Sequence, residues 1–434
     1  MANTFIDYRP TAPTSSRPVK RTVSIARNRG GAATIEPMPE SSGAVDGWMM
    51  AAIAALVGIG LVMVYSASSV VAEARFGGAS FFLQRQFIRA AVGVVLLAYL
   101  ARMPLNVFRL ATKPLLFVSL GLLLVPLMMK ASGSEVGLAN GAYRWIVVPG
   151  VPSLKFQPSE FARFALILFL ADSLARKQHT IRSFADGLLP HLVVVGVVLA
   201  LIVPEPDMGT AVTIGLIAAM MLYTARARVM HLIAVALAAA PVGVALVIAS
   251  PYRMRRIVGF LGADSAAKEL GYQITQARLG IGSGGLLGRG LGAGHQKFFF
   301  LPEPYTDSIF SIVGEELGFV GVLAVVAIFT VAIFRGLKIA RSSPNIYGLL
   351  VVFGLTANFA VYALLNIMVI TGIVPATGLP LPFLSYGGTS LMLNLCAVGI
   401  ILNVSRRRLP GAMRTAKPIP TKKHPCTLTL GVVR

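Results

Sequence analysis

The sequence carries little charge for its length. Only 13% of its 434 residues are Asp, Glu, Lys or Arg, whereas an ordinary soluble domain carries about 25%. With 56% hydrophobic residues and a mean hydropathy of +0.75, this excludes an ordinary soluble fold. Apolar runs recur near the length that a bilayer-spanning helix needs, roughly 17–25 residues, and barrel strands would not give such runs. The sequence therefore predicts an all-α polytopic membrane protein.

Cysteine is also scarce. Of the two cysteines, Cys396 lies in an apolar run and Cys426 in a basic tail, and neither position suggests a disulfide, a metal site or an attacking thiol.

Nucleotide-binding loops are missing as well. The glycine run GIGSGG at 280–285 has no strand–helix unit around it, and Arg289 follows Gly288 where a Walker loop needs lysine. Any catalysis must therefore rest on oxygen and nitrogen groups outside these motifs.

Acidic residues number 17 against 39 Lys and Arg, which gives a net charge of +22. No basic-aromatic module of a nucleic-acid binder is present, so nucleic acid is not the expected partner. In membrane proteins such charge collects in cytoplasmic loops. We expect about ten spans, several of them short by this length rule and all with uncertain ends, at 48–64, 87–100, 115–129, 161–174, 188–203, 209–223, 231–249, 309–334, 347–370 and 391–404.

Basic residues follow every second predicted span, which places those connections and both termini in the cytoplasm. They are Arg102, Arg109, Lys113, Arg176, Lys177, Arg182, Arg226, Arg228, Arg335, Lys338, Arg341, Arg406, Arg407 and Arg408. Arg85 and Arg89 oppose this pattern. The predicted organisation is a disordered basic tail at 1–46, a ten-helix domain at 47–408 and a second basic tail at 409–434. Within the domain, 250–308 is predicted to be a large, flexible extracytoplasmic loop.

Polar residues concentrate in the predicted outer segments, where a rigid scaffold can position functional loops. Arg144, Trp145 and Lys155 could hold a phosphate or a sugar, although an interfacial belt also uses such residues. Glu160 and Arg163 lie three residues apart at the start of a span, so they share a helix face and can pair. Elsewhere, Asp207 is placed to cap the helix that follows it.

The stretch LPEPYTDSIFSIVGEELGFVG at 301–321 contains the densest group of carboxylates. Thr306 is a candidate N-cap, and Asp307 falls in the first turn, where the helix dipole should keep it ionised as a proton acceptor. The alternative is that Asp307 is only a cap. Glu315 and Glu316 lie about two turns deeper and need partners inside the bundle.

Further along, 371–390 has three prolines and four glycines, which predicts an irregular element packed against protein.

Several motifs in order resemble the SEDS family, which comprises FtsW, RodA and their sporulation relatives. They are GAYRW, QPSEFAR, PDMGT, GSGGLLGRGLG, LPEPYTDSIFSIVGEELGFVG and TGLPLPFLSYGGTS, and the resemblance covers 48–408. VYSAS, FLQRQ and the long basic N-terminal tail are most similar to the FtsW branch. The resemblance implies ten transmembrane helices and polymerisation of lipid II into glycan strands. It also implies a multi-pass protein of the bacterial cytoplasmic membrane, at the division septum.

The resemblance assigns the catalytic acid to Asp307 and the supporting charge pair to Glu160 and Arg163. The substrate-binding candidates are Arg144, Trp145, Lys155, Gln157, Lys297, Glu303, Thr306 and Ser385. Of these, Arg144, Lys155 and Lys297 would bind the diphosphate. Three positions depart from the family: Tyr305 replaces a histidine, Glu205 replaces a glutamine, and Arg163 replaces a lysine, which changes geometry but keeps charge.

The implied partners are a cognate class B penicillin-binding protein, other divisome membrane proteins, lipid II and the membrane itself. No cofactor is certain. A divalent cation, Mg or Mn, could help with the diphosphate, but no clear ligand cluster fixes one. The alternative functions are an elongation polymerase of the RodA type, a lipid II flippase, for which ten helices and intramembrane acids are also suitable, and a scaffold that only recruits septal proteins.

Overall fold

The protein is a bundle of long apolar helices. The computed structural model describes residues 43–133, 138–139, 142–148, 151–205, 207–261 and 268–407. The predicted tail at 409–434, Arg408 and nearly all of the predicted tail at 1–46 lie outside these residues. The described helices are α1 (Gly47–Phe76), α2 (Phe81–Leu100), α3 (Leu105–Ala131), α4 (Pro158–Arg176), α5 (Leu189–Ile202), α6 (Met208–Thr224), α7 (Val229–Ile248), α8 (Pro251–Leu261), α9 (Lys268–Ser283), α10 (Ile309–Arg341), α11 (Ile346–Ile370) and α12 (Gly388–Ser405).

Each predicted span coincides with one of these helices, so the helical, polytopic class is confirmed. In the described part of the chain, eight helices are long and apolar enough to cross a membrane, the fourth of them being α5 together with the π-helical turn Phe184–Leu188 that precedes it. The helix α6 is a shorter apolar helix. The helix α4 carries Glu160, Arg163 and Asp172 on buried positions, which lowers its hydropathy but not its burial.

The centre of the bundle is formed by α11 and α12, which bury most of their residues. Around them, α2 packs against α12, α10 against α11 and α1, and α3 against α4. By contrast, α7 buries none of its residues. Buried apolar surface contributes about 25 cal/mol per Å² in water, but between helices in lipid the packing itself must hold the bundle. Glycine at close approaches serves this packing: a Cβ on Gly93 of α2 would lie 2.4 Å from Leu395 of α12.

Two short antiparallel hairpins, which the all-helical prediction omitted, precede α4. The strands are β1 (Leu138–Ala139), β2 (Ala142–Tyr143), β3 (Ile146–Val148) and β4 (Val151–Phe156). In the first hairpin Leu138 pairs with Tyr143, and in the second Ile146 pairs with Phe156. The hairpins pair the backbone N–H and C=O groups of this segment, which is not helical.

The prediction of a flexible loop at 250–308 is wrong for much of this segment. It contains α8 and α9, and α9 packs along the first part of α10. Ser311 of α10 donates a 2.7 Å hydrogen bond to the Ala277 carbonyl of α9. The glycine content that suggested flexibility belongs instead to residues 284–297, here called the glycine strap.

The glycine strap closes a break in α10. Gly318 has φ 67° and ψ −165°, a conformation that only glycine adopts readily, and it interrupts the helix. Strap amides of Arg289 and Gly290 donate to the carbonyls of Glu315 and Glu316, each at 3.0 Å. Beyond the break, the Phe319 amide donates to the strap at 2.9 Å. The strap therefore satisfies backbone groups that the break would leave unpaired.

Candidate functional site

The carboxylates Glu315 and Glu316 have the partners that their depth requires. Glu315 accepts hydrogen bonds from the amides of His295 and Gln296, at 2.7 and 3.1 Å. Glu316 forms a 3.0 Å ion pair with Lys297 and accepts from Ser66 of α1 at 2.6 and 2.7 Å. All these contacts attach the end of the strap to α10 and α1. Both acids therefore have a structural role, and the prediction of a buried network is confirmed.

Lys297 requires a correction. It was predicted to bind diphosphate, but its side chain is 3% exposed and its ammonium contacts Glu316 and the Gly292 carbonyl. A charge that is buried and already paired cannot turn to a substrate without leaving a second buried charge alone. The structure therefore makes Lys297 part of the strap.

Asp307 lies at one end of the bundle, where α10 begins and α11 ends. Its side chain is partly buried, and its Oδ1 accepts from the Thr306 hydroxyl at 3.2 Å and, weakly, from Ser308 at 3.5 Å. Asn366 of α11 donates to the backbone carbonyl of Asp307 at 2.7 Å and to that of Leu379 at 2.8 Å. A single amide thus fixes Asp307 to the irregular segment after α11. Sequence reasoning missed Asn366, although an asparagine in an apolar span is itself a signal.

The pKa of Asp307 is shifted in the direction opposite to the predicted one. Burial raises the pKa of its carboxyl, the neighbouring Glu303 raises it further, and the Thr306 hydrogen bond and Arg256 oppose both. The helix dipole was expected to keep this group ionised, but desolvation outweighs it. The predicted cap is also absent: Ser308 is the N-cap residue of α10, and Thr306 donates instead to the Glu303 carbonyl at 2.9 Å.

Asp307 faces a cleft of about 230 Å³, here called the acid cleft. Its chemistry-bearing lining is Arg144, Trp145, Gln157, Glu160, Arg256, Glu303, Thr306, Asp307, Tyr386 and Ser390. Gly378 also lines it with φ +70°, and a Cβ there would lie about 4 Å from both Asp307 Oδ2 and Arg256 Nη2. Arg256, which α8 supplies, thus shares this wall with the acid.

A second cleft of about 380 Å³, the arginine cleft, shares a wall with the first. The shared residues are Trp145, Glu303, Thr306, Tyr386, Gly387 and Gly388. The cations of the arginine cleft are Arg75, Arg85, Arg89 and Lys155, and its aromatic residues are Phe76, Phe81, Phe82, Trp145, Tyr305 and Tyr386. Four cations face a single carboxylate, Glu303, so this cleft suits an anion.

Arg85 and Arg89 are the two arginines that opposed the loop-charge pattern. Arg85 lies 3.8 Å above the ring of Phe81 and Arg89 lies 5.0 Å from that of Tyr386. Such stacking orients a guanidinium while leaving its edge able to donate hydrogen bonds. Their departure from the charge rule was the sequence signal that they line a site, and the prediction did not use it.

The predicted pair of Glu160 and Arg163 forms no direct ion pair among the described residues. Both are buried, at 4% and 3% exposure, but the Arg163 guanidinium lies 4.0 Å from the ring centre of Tyr362 in α11. Glu160 lines the acid cleft near Ser390. Spacing on one helix face keeps the two charges close enough to interact electrostatically, but the Arg163 guanidinium packs on Tyr362 of α11.

Two other predicted residues serve the scaffold. Ser385 is buried, and its hydroxyl accepts a 2.8 Å hydrogen bond from the Leu381 amide, which closes a turn instead of lining either cleft. Gln157 lines the acid cleft and also donates to Asp207 at 3.1 Å. Asp207 accepts from the Thr210 amide at 3.3 Å, so the predicted cap of α6 is confirmed.

The segment predicted at 371–390 to be irregular and packed against protein is confirmed. It is irregular up to Gly388, where α12 begins, and many of its residues are buried.

Tyr305 and Glu205, two of the departures from the family, are both neutral near pH 7. Burial raises the pKa of Tyr305 to about 12, so its hydroxyl cannot act as a base. Burial, and next the charge of Asp207, raise the pKa of Glu205 to about 9 against the opposing effect of Arg144. Protonated Glu205 is thus close in shape and charge to the glutamine of the family motif.

The described residues contain no cluster of three or more His, Cys, Asp or Glu side chains arranged to hold a metal ion. The helical bundle defines a multi-pass membrane protein, and two adjoining clefts at one end of it bring together a carboxylate and four cations. The chain belongs to the FtsW/RodA/SpoVE family, because residues 47–409 match the family model described as "Cell cycle protein".

Two relatives and one solved structure extend the family assignment. The chain is 43% identical over 353 residues to a probable peptidoglycan glycosyltransferase FtsW of Trichlorobacter lovleyi, covering 81% of this chain and 91% of that protein. It is 41% identical over 352 residues to the stage V sporulation protein E of Bacillus subtilis, covering 81% and 94%. A chain from a solved peptidoglycan synthase complex, described as coordinating polymerization and crosslinking, superposes with a TM-score of 0.69 at 27% identity, covering 84% of this chain and 98% of that one.

Proposed function

We propose that this protein is a peptidoglycan glycosyltransferase that polymerises lipid II during cell division. The observation that carries the proposal is the pair of adjoining clefts, one with Asp307 and one with four cations, separated only by a shared wall. The name of the FtsW relative supports both the activity and the division role. The membrane topology that fits is ten spans with both termini cytoplasmic and both clefts outside.

In the proposed reaction, the 4-hydroxyl of the acceptor sugar lies in the acid cleft beside Asp307. The carboxylate takes the hydroxyl proton while the oxygen attacks C1 of the donor sugar from the face opposite the diphosphate. The bond from C1 to the diphosphate oxygen breaks, and undecaprenyl diphosphate leaves with the electron pair, so an α linkage becomes β. A raised pKa makes Asp307 a better base than an ordinary aspartate, provided that it is deprotonated.

The diphosphate belongs in the arginine cleft. Arg75, Arg85, Arg89 and Lys155 would stabilise the charge that develops on the leaving group. Arg144 is the predicted diphosphate ligand that lies in the acid cleft, where its Nε donates to the Glu205 carbonyl at 3.1 Å. The aromatic rings of the arginine cleft give the sugars and the first prenyl units an apolar wall. This assignment extends the predicted ligand set and omits Lys297.

A partner that crosslinks the strands is part of the proposal. The solved complex with this fold combines polymerization and crosslinking, so we expect a class B penicillin-binding protein to accompany this chain at the septum. Other divisome membrane proteins are expected there too.

The decisive experiment is polymerisation of purified lipid II by the full chain together with that partner. Asp307→Asn should reduce the rate by about 10²–10⁴-fold, the usual contribution of a general base. Glu73→Asn is a matched control, because Glu73 is an exposed acid at the end of α1 outside both clefts. Full activity in Asp307→Asn would overturn the proposal.

A lipid II flippase is the second candidate, and the break in α10 favours it, since transporters use discontinuous helices. The break is closed by the strap, however, and both clefts described above lie at one end of the bundle. Translocation of lipid II in liposomes without a polymerising partner, unaffected by Asp307→Asn, would favour transport over polymerisation.

A further inference from the structure

The end of the bundle opposite Asp307 has a cleft that the proposed reaction does not use. It has a volume of about 610 Å³ and lies between the C-terminal ends of α6 and α10 and the N-terminal half of α11. Three exposed arginines surround it: Arg182 from the connection after α4, Arg226 from the end of α6, and Arg341 from the end of α10. Its apolar wall contains Leu337, Leu349 and Phe353. Pockets of about 300–1,000 Å³ commonly hold a ligand.

In the described part of the chain, the three arginines of this cleft form no ion pair with a carboxylate. Other arginines at the same end have carboxylate partners: Asp172 binds Arg109 and Arg176, and Asp46 binds Arg335. Among the described residues, none of the four ion pairs involves an arginine of the cleft. Three like charges from three different elements converge there, and an anion bound between them would offset their repulsion.

The backbone at Arg226 gives an independent observation. Its φ is +69°, and the Arg226 and Ala227 amides donate to the carbonyls of Tyr223 and Leu222, at 2.9 and 3.1 Å. This is the helix-ending arrangement in which glycine normally occupies the left-handed position. An arginine is strained there, and such strain is kept where the side chain has a function. Here the side chain lines the cleft.

We propose that this cleft binds an anionic phospholipid, with its phosphodiester between the three arginines and an acyl chain along the apolar wall. Basic pockets between transmembrane helices bind acidic headgroups in this way. A free phosphate would use the arginines but not the wall of Leu337, Leu349 and Phe353, and a zwitterionic lipid would use the wall but bring no net charge. The combination favours the anionic lipid.

The test measures lipid binding to the purified full chain in detergent by native mass spectrometry. The probes are dioleoylphosphatidylglycerol, dioleoylphosphatidylcholine and inorganic phosphate. Arg182→Gln, Arg226→Gly and Arg341→Gln should each raise the Kd for the first phosphatidylglycerol about five-fold, the usual contribution of one basic residue near an anionic surface. Phosphatidylcholine should bind more weakly than phosphatidylglycerol, and phosphate should not displace the lipid.

Two controls keep the result specific. Arg228→Gln removes an exposed charge two residues from Arg226 but outside the cleft, so it should leave the Kd within about two-fold. Arg226→Gly should unfold at the same or a higher temperature, because glycine fits the left-handed position. An equal loss of lipid in Arg228→Gln would mean diffuse surface charge, and equal binding of phosphatidylcholine or displacement by phosphate would mean another ligand. Each of these three results would overturn the proposal.

Discussion

The backbone amide of Tyr386 donates a 2.8 Å hydrogen bond to the backbone carbonyl of Tyr305. This contact joins the segment before α12 to the segment before α10, two loops that are 81 residues apart. The ring of Phe82 packs against both tyrosines, with ring centres 4.5 and 5.1 Å away. These contacts join Tyr386, a residue of the wall between the two clefts, to the segment before α10 and to α2, so three parts of the chain meet beside that wall.

The pH dependence of activity should depend on Glu303. Asp307 must lose its proton to act as a base, and its raised pKa means that activity falls as the pH falls through that pKa. Glu303→Gln removes a neighbouring negative charge, so the acid limb of the pH–rate profile should move to lower pH. The measurement is the rate of glycan polymerisation against pH. Glu73→Gln should leave the limb in place, and an unmoved limb in Glu303→Gln would contradict this account.

The arginine cleft should determine substrate affinity. Arg85→Gln and Arg89→Gln should each raise KM for lipid II about 10- to 150-fold, because a hydrogen bond to a charged group contributes roughly 1.5–3 kcal/mol. Steady-state polymerisation kinetics give this value. Arg102→Gln, which removes a charge just beyond the other end of α2, is the control and should leave KM unchanged. Equal KM values in all three variants would place the diphosphate elsewhere.

Lys297 should matter for stability and not for substrate binding. Lys297→Met leaves Glu316 buried without its cation, which should cost about 3–5 kcal/mol and lower the unfolding temperature. The double variant Lys297→Met with Glu316→Gln should recover much of this loss. Arg289→Gln removes an exposed cation of the same strap and should cost less than about 0.5 kcal/mol. A normal unfolding temperature with a raised KM in Lys297→Met would restore it as a substrate ligand.

Glu205 should make the folded protein less stable at alkaline pH. Its folded pKa of about 9 exceeds the unfolded value of 4.5, so the folded state holds a proton that the unfolded state releases between these values. The resulting stability is complete below about pH 4.5 and is lost as the pH rises toward 9. Glu205→Gln removes this loss, so its unfolding temperature should exceed that of the parent at pH 8 and the two should converge at pH 5. Parallel curves at both pH values would argue against a protonated Glu205.

Local sequence patterns predicted the helices well. Apolar patterning placed a helix at every predicted span, and short-range chemistry placed the Asp207 cap, because both depend on residues that are close in the chain. The polar glycine-rich stretch misled the prediction, because α8 and α9 gain their order from packing and the strap gains its order from the break at Gly318. The break in α10 could be predicted only by considering α10 and the strap together, and they are separate segments of the sequence.

The candidate site was predicted only in part, for the same reason. Asp307 and Arg144 carry the resemblance in their own motifs and fall in one cleft. Arg85 and Arg89 line the arginine cleft, Arg256 lines the acid cleft, and Asn366 holds the backbone of Asp307. These four residues belong to other helices, and only the folded bundle brings them to the site. Lys297 was misassigned because its partners, Glu316 and Ser66, are 19 and 231 residues away.

The arginines at both ends of α2 affect how the chain enters the membrane. With Arg85 and Arg89 near one end and Arg102 just past the other, this segment has no charge asymmetry that would orient it during insertion. Its direction must be imposed by the segments synthesised around it, above all by α1 and the basic residues that precede it. The same guanidinium groups that line the arginine cleft thus weaken the topological signal, and the insertion of α2 depends on its neighbours.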